Sequence, residues 1–119
     1  MQDDFIQNLT QVQETFSQYL FGLIDKRASF KNIYIDRKLL SKVRCNKYYQ
    51  PSKNTAILFA LALSLDIDDT KKLLEKAGFV LSNDILFDRI ITYFITNKIY
   101  DIQKINYTLM DSINTPLLK

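Results

Sequence analysis

Arginine and lysine side chains are concentrated in one short stretch of this sequence. Residues 26–53 contain nine basic side chains and a single acid, Asp36, which gives a net charge of +8. The rest of the chain contains seven basic and twelve acidic residues, which gives −5 and leaves the whole chain at +3. Guanidinium groups bind phosphate or guanine in a bidentate manner, and lysine ammonium groups act as point charges. Because neutralising phosphates releases counterions, this cluster predicts salt-dependent binding of DNA or RNA.

A helix over residues 36–45 would present these cations on one side. At 100° per residue, Leu39, Leu40 and Val43 share one arc, and the basic side chains lie on the opposite side, with Lys42 at its margin. A charged face that only kept the helix soluble could carry charges of both signs, so the excess of positive charge favours binding of an anionic partner. In the turn that follows, two tyrosines either stack on unpaired bases or cover the end of a buried helix. The predicted nucleic-acid or partner contacts are Lys31, Arg37, Lys38, Ser41, Lys42, Arg44, Lys47, Tyr48, Tyr49 and Lys53, with Lys26 and Arg27 beside them.

Several kinds of catalytic and metal site are excluded by composition. The chain has no histidine and one cysteine, Cys45, so a His/Cys zinc site, a Ser-His-Asp triad and an intrachain disulfide are impossible. The acids Asp66, Asp68 and Asp69 lack the glycine and closing glutamate of an EF-hand, which favours a turn and helix cap over calcium binding. We therefore expect no enzyme activity, no metal and no cofactor.

The sequence also predicts a cytoplasmic chain that does not enter a membrane. The first residues are acidic and lack the basic region of a signal peptide. The longest apolar run, residues 56–63, is far shorter than the roughly 20 residues that span a bilayer.

Apolar periodicity and the small number of glycines and prolines predict an all-α fold. One domain over residues 1–119 should form a compact bundle of five to seven helices. Helices are expected over residues 3–26, 36–45, 55–65 and 70–77, the third buried because it is apolar almost all round. Residues 29–34 form either one helical turn or a loop. The next helix should be capped by Ser82 or Asn83, and its inward side chains should be Leu86, Ile90, Phe94 and Ile95. A last helix should end at Pro116, and its inward side chains should be Ile102, Ile105, Leu109 and Ile113.

The run from Ile35 to Arg44 (IDRKLLSKVR) resembles the recognition helix of phage-repressor (Xre-type) helix-turn-helix domains. The segments from Pro51 to Leu65 and from Asp68 to Phe79 are similar to the fourth and fifth helices of that fold. The more specific likeness is to small bacterial Xre-like modules, some appended to macro domains, and it covers about two-thirds of the chain. It implies a repressor-like fold with a C-terminal helical extension and a DNA-binding or regulatory role of phage, mobile-element or defence-system origin.

The resemblance leaves two functions open. Between Lys26 and Ile35 there is no room for the second helix of the motif and its turn, so the helix-turn-helix is truncated. The first function is a nucleic-acid-binding module, which would pair as a homodimer through residues 82–113 if it reads two half-sites. The alternative is an inhibitor of a nucleic-acid-directed immune effector, as anti-CRISPR proteins are, docking its basic face on an acidic or RNA-binding protein surface.

Overall fold

Six α-helices make up the parts of the chain that the computed structural model describes, residues 14–26 and 35–118. Numbered in chain order, they are α1 (Phe16–Lys26), α2 (Arg37–Cys45), α3 (Lys53–Ala62), α4 (Ile67–Lys76), α5 (Leu86–Thr96) and α6 (Ile102–Ile113). These residues contain no β-strand, and the predicted all-α class is confirmed. The predictions for Lys31, Arg27 and residues 29–34 fall outside the described residues.

Helix α1 begins much later than predicted. Thr15 and Gln18 form a capping box, in which the Gln18 amide donates to Thr15 Oγ1 (3.3 Å) and the Thr15 amide donates to Gln18 Oε1 (3.1 Å). The chain is not helical at Glu14 and Thr15, so one continuous helix over residues 3–26 is wrong. The apolar spacing before residue 14 lies outside the described residues. From the cap onward, α1 buries Phe16, Ser17 and Leu20.

Helix α2 forms where the sequence places it. Asp36 is the N-cap, and its Oδ1 accepts a hydrogen bond from the Lys38 amide at 3.0 Å. Val43 is fully buried, and Leu39 and Leu40 are half-buried against the core. The Ser17 hydroxyl of α1 donates to the Val43 carbonyl at 2.7 Å, which ties the end of α2 to the bundle.

Helix α3 is buried, as predicted, and packs against α4, which begins at Ile67 and not at the predicted residue 70. Ser52 caps α3, and its residues 56–61 are all buried. The helix ends at Ala62, earlier than predicted, because Ser64 takes the left-handed conformation (φ 53°). Asp66 caps α4 by accepting from the Asp69 amide at 2.8 Å, which is the expected turn-and-cap role. Gly78 (φ 84°) terminates the same helix.

Helices α5 and α6 form a hairpin against the other four. Helix α5 begins at Leu86 with no side-chain cap, so the predicted cap at Ser82 or Asn83 is wrong. Ser82 instead accepts from the Asp84 amide (3.1 Å) in the preceding turn. Leu86 is 48% exposed, contrary to its predicted inward position. The buried apolar side chains of the hairpin are Ile91, Phe94, Ile95, Ile102, Ile105 and Leu109.

One apolar core joins all six helices. The packed pairs are α1 with α2 and α4, α3 with α4, α4 with α5, and α5 with α6. Buried side chains from every helix belong to a single cluster, which includes the fully buried Phe59, Leu73 and Leu74. None of the described helices is long and apolar enough to cross a bilayer.

Candidate nucleic-acid interface

The outer face of α2 is a strip of exposed basic side chains. Since Val43 is fully buried and holds one side of the helix against α1, the opposite side faces solvent. The residues there are all exposed: Arg37, Lys38, Ser41, Lys42 and Arg44. Folding therefore gathers these predicted contact residues on one surface, which we call the α2 strip. Lys26, at the end of α1, is exposed as well.

The charge of the α2 strip is not neutralised by the described carboxylates. Within residues 14–26 and 35–118, the ion pairs are Lys53 with Asp88 and Lys76 with Glu14, and neither involves this strip. Asp36 is the carboxylate next to it in sequence, and its Oδ1 accepts from a backbone amide as a helix cap. Within the described residues, no cation of the α2 strip is therefore held in an ion pair.

Arg44 is held in place by an aromatic ring that the sequence reading left out. Its guanidinium carbon lies 4.1 Å from the centroid of the Phe21 ring of α1. Stacking uses the face of the guanidinium plane and leaves its N–H edges free to donate to a phosphate. The signal in the sequence was that Phe21 lies off the apolar stripe of α1, an aromatic side chain that the core pattern did not need.

The two tyrosines after α2 have different roles. Tyr48 is 70% exposed, and its ring centroid lies 5.4 Å from the Lys47 ammonium. Tyr49 is half-buried and packs against the core, which matches the alternative in which it covers the end of a helix. Only Tyr48 is placed to meet a ligand, and the predicted contact at Tyr49 is not supported by its position.

Lys53 does not belong to this surface, although the sequence analysis included it. Its ammonium contacts both carboxylate oxygens of Asp88 at 2.8 Å, and Asp88 is 1% exposed. The Ser82 amide donates to the same carboxylate at 2.8 Å. A buried carboxylate needs a partner, and Lys53 is that partner. Sequence reasoning missed Asp88, whose one signal is its place within the apolar helix α5.

A second surface feature is an apolar groove between α5 and α6. It encloses about 310 Å³ and is lined by Leu86, Arg89, Ile90, Tyr93, Phe94 and Thr108. Tyr93 is 61% exposed at its edge. The groove lies within residues 82–113, the segment for which the sequence predicts pairing of two copies. Among the described side chains, no cluster of three or more potential metal ligands occurs.

No family model, curated protein or solved structure matches this chain. The resemblance of residues 35–82, and more loosely of residues up to 118, to small Xre-like modules stays a prediction. What the chain binds is therefore argued from the chemistry of its own surface.

Proposed function

We propose that this chain is a non-enzymatic module that binds nucleic acid through the α2 strip and the turn after it. The single observation that carries the proposal is the set of five exposed cations on α2 and its turn with no described carboxylate paired to them: Arg37, Lys38, Lys42, Arg44 and Lys47. Unpaired cations on one face of a rigid helix suit a polyanion, whose phosphates replace the missing counter-charge.

The resemblance to Xre-type domains supports a repressor-like descent and a regulatory or targeting role. According to that resemblance, α2 is the helix that approaches the nucleic acid, and α1 packs against it. Ser17 and Phe21 on α1 fix the end of α2 and the Arg44 guanidinium. Pairing of two copies through the α5–α6 hairpin stays a prediction, which sedimentation velocity can measure alongside binding.

The test is a binding titration with charge-reversed variants. Fluorescence anisotropy would follow labelled DNA and RNA of random sequence at low salt with the wild type, Arg37→Glu/Lys42→Glu, and Lys71→Glu/Lys72→Glu. The last variant is a matched control, since it makes the same change in net charge on exposed residues of α4. We expect the α2 variant to lose binding and the α4 variant to keep most of it.

Two outcomes would overturn the proposal. An equal loss of affinity in the α2 and α4 variants would mean that the net charge of the chain, and not the α2 strip, attracts the nucleic acid. A folded wild-type chain that binds no nucleic acid at low salt would remove the proposal altogether. That second result would favour the alternative of docking on an acidic or RNA-binding protein, as an inhibitor of an immune effector would.

A further inference from the structure

The turn after α2 presents an aromatic ring to solvent at the end of the α2 strip. Exposed tyrosines in the described residues are Tyr48, Tyr93 and Tyr107, with 70%, 61% and 73% of their surface accessible. Tyr93 packs edge-on against Phe94 at the apolar groove, and Tyr107 lies on α6. Among the described residues, Tyr48 is the one of these three tyrosines with an ammonium group over its ring: Lys47 Nζ lies 5.4 Å from the ring centroid.

The backbone around Tyr48 is held firmly although its side chain is not buried. The Tyr48 amide donates to Asn46 Oδ1 at 3.1 Å, and the Tyr49 amide donates to the Asn46 carbonyl at 3.0 Å. The side chain of Tyr49 packs into the core and anchors the turn. A tyrosine left this exposed contributes little to core packing, and its ring is accessible to a ligand.

We propose that the Tyr48 ring is a stacking platform for an unpaired base, and that the α2 strip takes single-stranded nucleic acid in preference to duplex. This inference rests on the proposed function and specifies its ligand. In a duplex, the faces of the bases are covered by their neighbours, whereas a single strand can turn a base onto an exposed ring. Arg44 and Lys47 stand on the chain just before the ring and supply cations for the phosphates on either side of such a base.

The size of the effect follows from the stacking energy of one base. Replacing an aromatic platform by alanine weakens single-strand binding by roughly 5- to 100-fold. The Tyr48 hydroxyl is not needed for stacking, so Tyr48→Phe should bind within about twofold of the wild type. Tyr107→Ala removes an equally exposed tyrosine from helix α6 and is the matched control.

Fluorescence anisotropy would measure how tightly the wild type, Tyr48→Ala, Tyr48→Phe and Tyr107→Ala bind probes of equal length, about 12 nucleotides. The probes are oligodeoxythymidine, oligouridine and a mixed-sequence DNA duplex, so the two single strands separate a DNA preference from an RNA preference. We expect the wild type to bind a single strand more tightly than the duplex. Tyr48→Ala should weaken binding of the single strands and leave binding of the duplex unchanged. The chain has no tryptophan, so Tyr48→Trp adds one reporter whose fluorescence should be quenched by a stacked base.

Failure of this inference differs from failure of the proposed function. Equal affinity for duplex and single strands, with Tyr48→Ala as tight as the wild type and no quenching in Tyr48→Trp, overturns stacking but leaves phosphate binding by α2 intact. Equal loss in Tyr107→Ala and Tyr48→Ala also overturns it. Binding of none of the probes by a chain that circular dichroism shows to be helical overturns both.

Discussion

Replacing Lys53 by methionine should destabilise the fold without weakening nucleic-acid binding. Lys53 was grouped by sequence with the binding cations, but its ammonium is 2.8 Å from both oxygens of Asp88. Methionine keeps the length of the side chain and removes the charge. The Asp88 carboxylate would then stay buried with the Ser82 amide as its remaining described donor.

The expected loss of stability is about 3 kcal/mol. Removing one partner of a buried ion pair costs roughly 3–5 kcal/mol because the other charge is left without compensation. The low end applies here, since the side chain of Lys53 is 28% exposed and water can reach the vacated position. For a chain of this size, the melting temperature should fall by about 10 °C.

A double-mutant cycle separates the pair from its surroundings. Asp88→Asn removes the charge and keeps an acceptor for the Ser82 amide, so Lys53→Met/Asp88→Asn should be less destabilised than the two single losses combined, by at least about 1 kcal/mol. Lys71→Met, an exposed lysine of α4, is the control and should change stability by less than about 0.5 kcal/mol. Urea unfolding followed by far-UV circular dichroism measures all four variants.

Two results would refute the reasoning about Lys53. One is a loss of stability in Lys53→Met no larger than in Lys71→Met, which would mean that the Lys53 ammonium does not stabilise the buried Asp88 carboxylate. The other is a loss of nucleic-acid affinity in folded Lys53→Met as large as in Arg37→Glu/Lys42→Glu, which would return Lys53 to the binding surface.

Three further outcomes can be checked by the same unfolding assay. Gly78→Ala should lower the free energy of unfolding by about 1–2 kcal/mol, because alanine is strained at a φ of 84°, although its Cβ would meet no neighbouring atom within 4 Å. An unchanged urea midpoint would contradict this prediction. Ser17→Ala should cost about 1 kcal/mol, the net value of one hydrogen bond, because the Val43 carbonyl loses the hydroxyl donor but keeps the Asn46 amide at 3.3 Å; an unchanged free energy of unfolding would contradict it. Burial, and after it nearby carboxylates, raise the pKa of Tyr19 above 10.0, so its stabilising effect is complete below that pH and is lost as pH rises through the raised pKa. Tyr19→Phe should therefore lose less stability than the wild type between neutral and strongly alkaline pH, and parallel pH profiles would contradict this.

Three of the helix caps were predictable, because a cap of this kind depends on a few neighbouring residues. Asp36, Ser52 and Asp66 cap α2, α3 and α4, and each side-chain oxygen accepts from an amide two or three residues later. Gly78 ends α4 for a similarly local reason, the left-handed backbone that glycine tolerates. The outward direction of the α2 strip followed from the same short-range periodicity.

Features that depend on distant contacts were not predictable. The Lys53–Asp88 pair joins residues 35 positions apart, and no local pattern distinguishes it from two exposed charges. Apolar spacing runs through Glu14 and Thr15, so periodicity alone hid the capping box at the start of α1. Leu86 fits the helical period of α5 but lies beyond the reach of the packed neighbours, which is a tertiary property.

The most direct test of phosphate binding by α2 is the salt dependence of the dissociation constant. Five cations that contact phosphates predict a slope of about −4 for the logarithm of the association constant against the logarithm of salt concentration. Arg37→Ala/Lys42→Ala, which preserves helix propensity, should flatten that slope by roughly 1.5–2, while Lys71→Ala/Lys72→Ala should leave it unchanged. A slope that the α2 variant does not alter, or that the α4 variant alters equally, would contradict the assignment of the binding surface to α2.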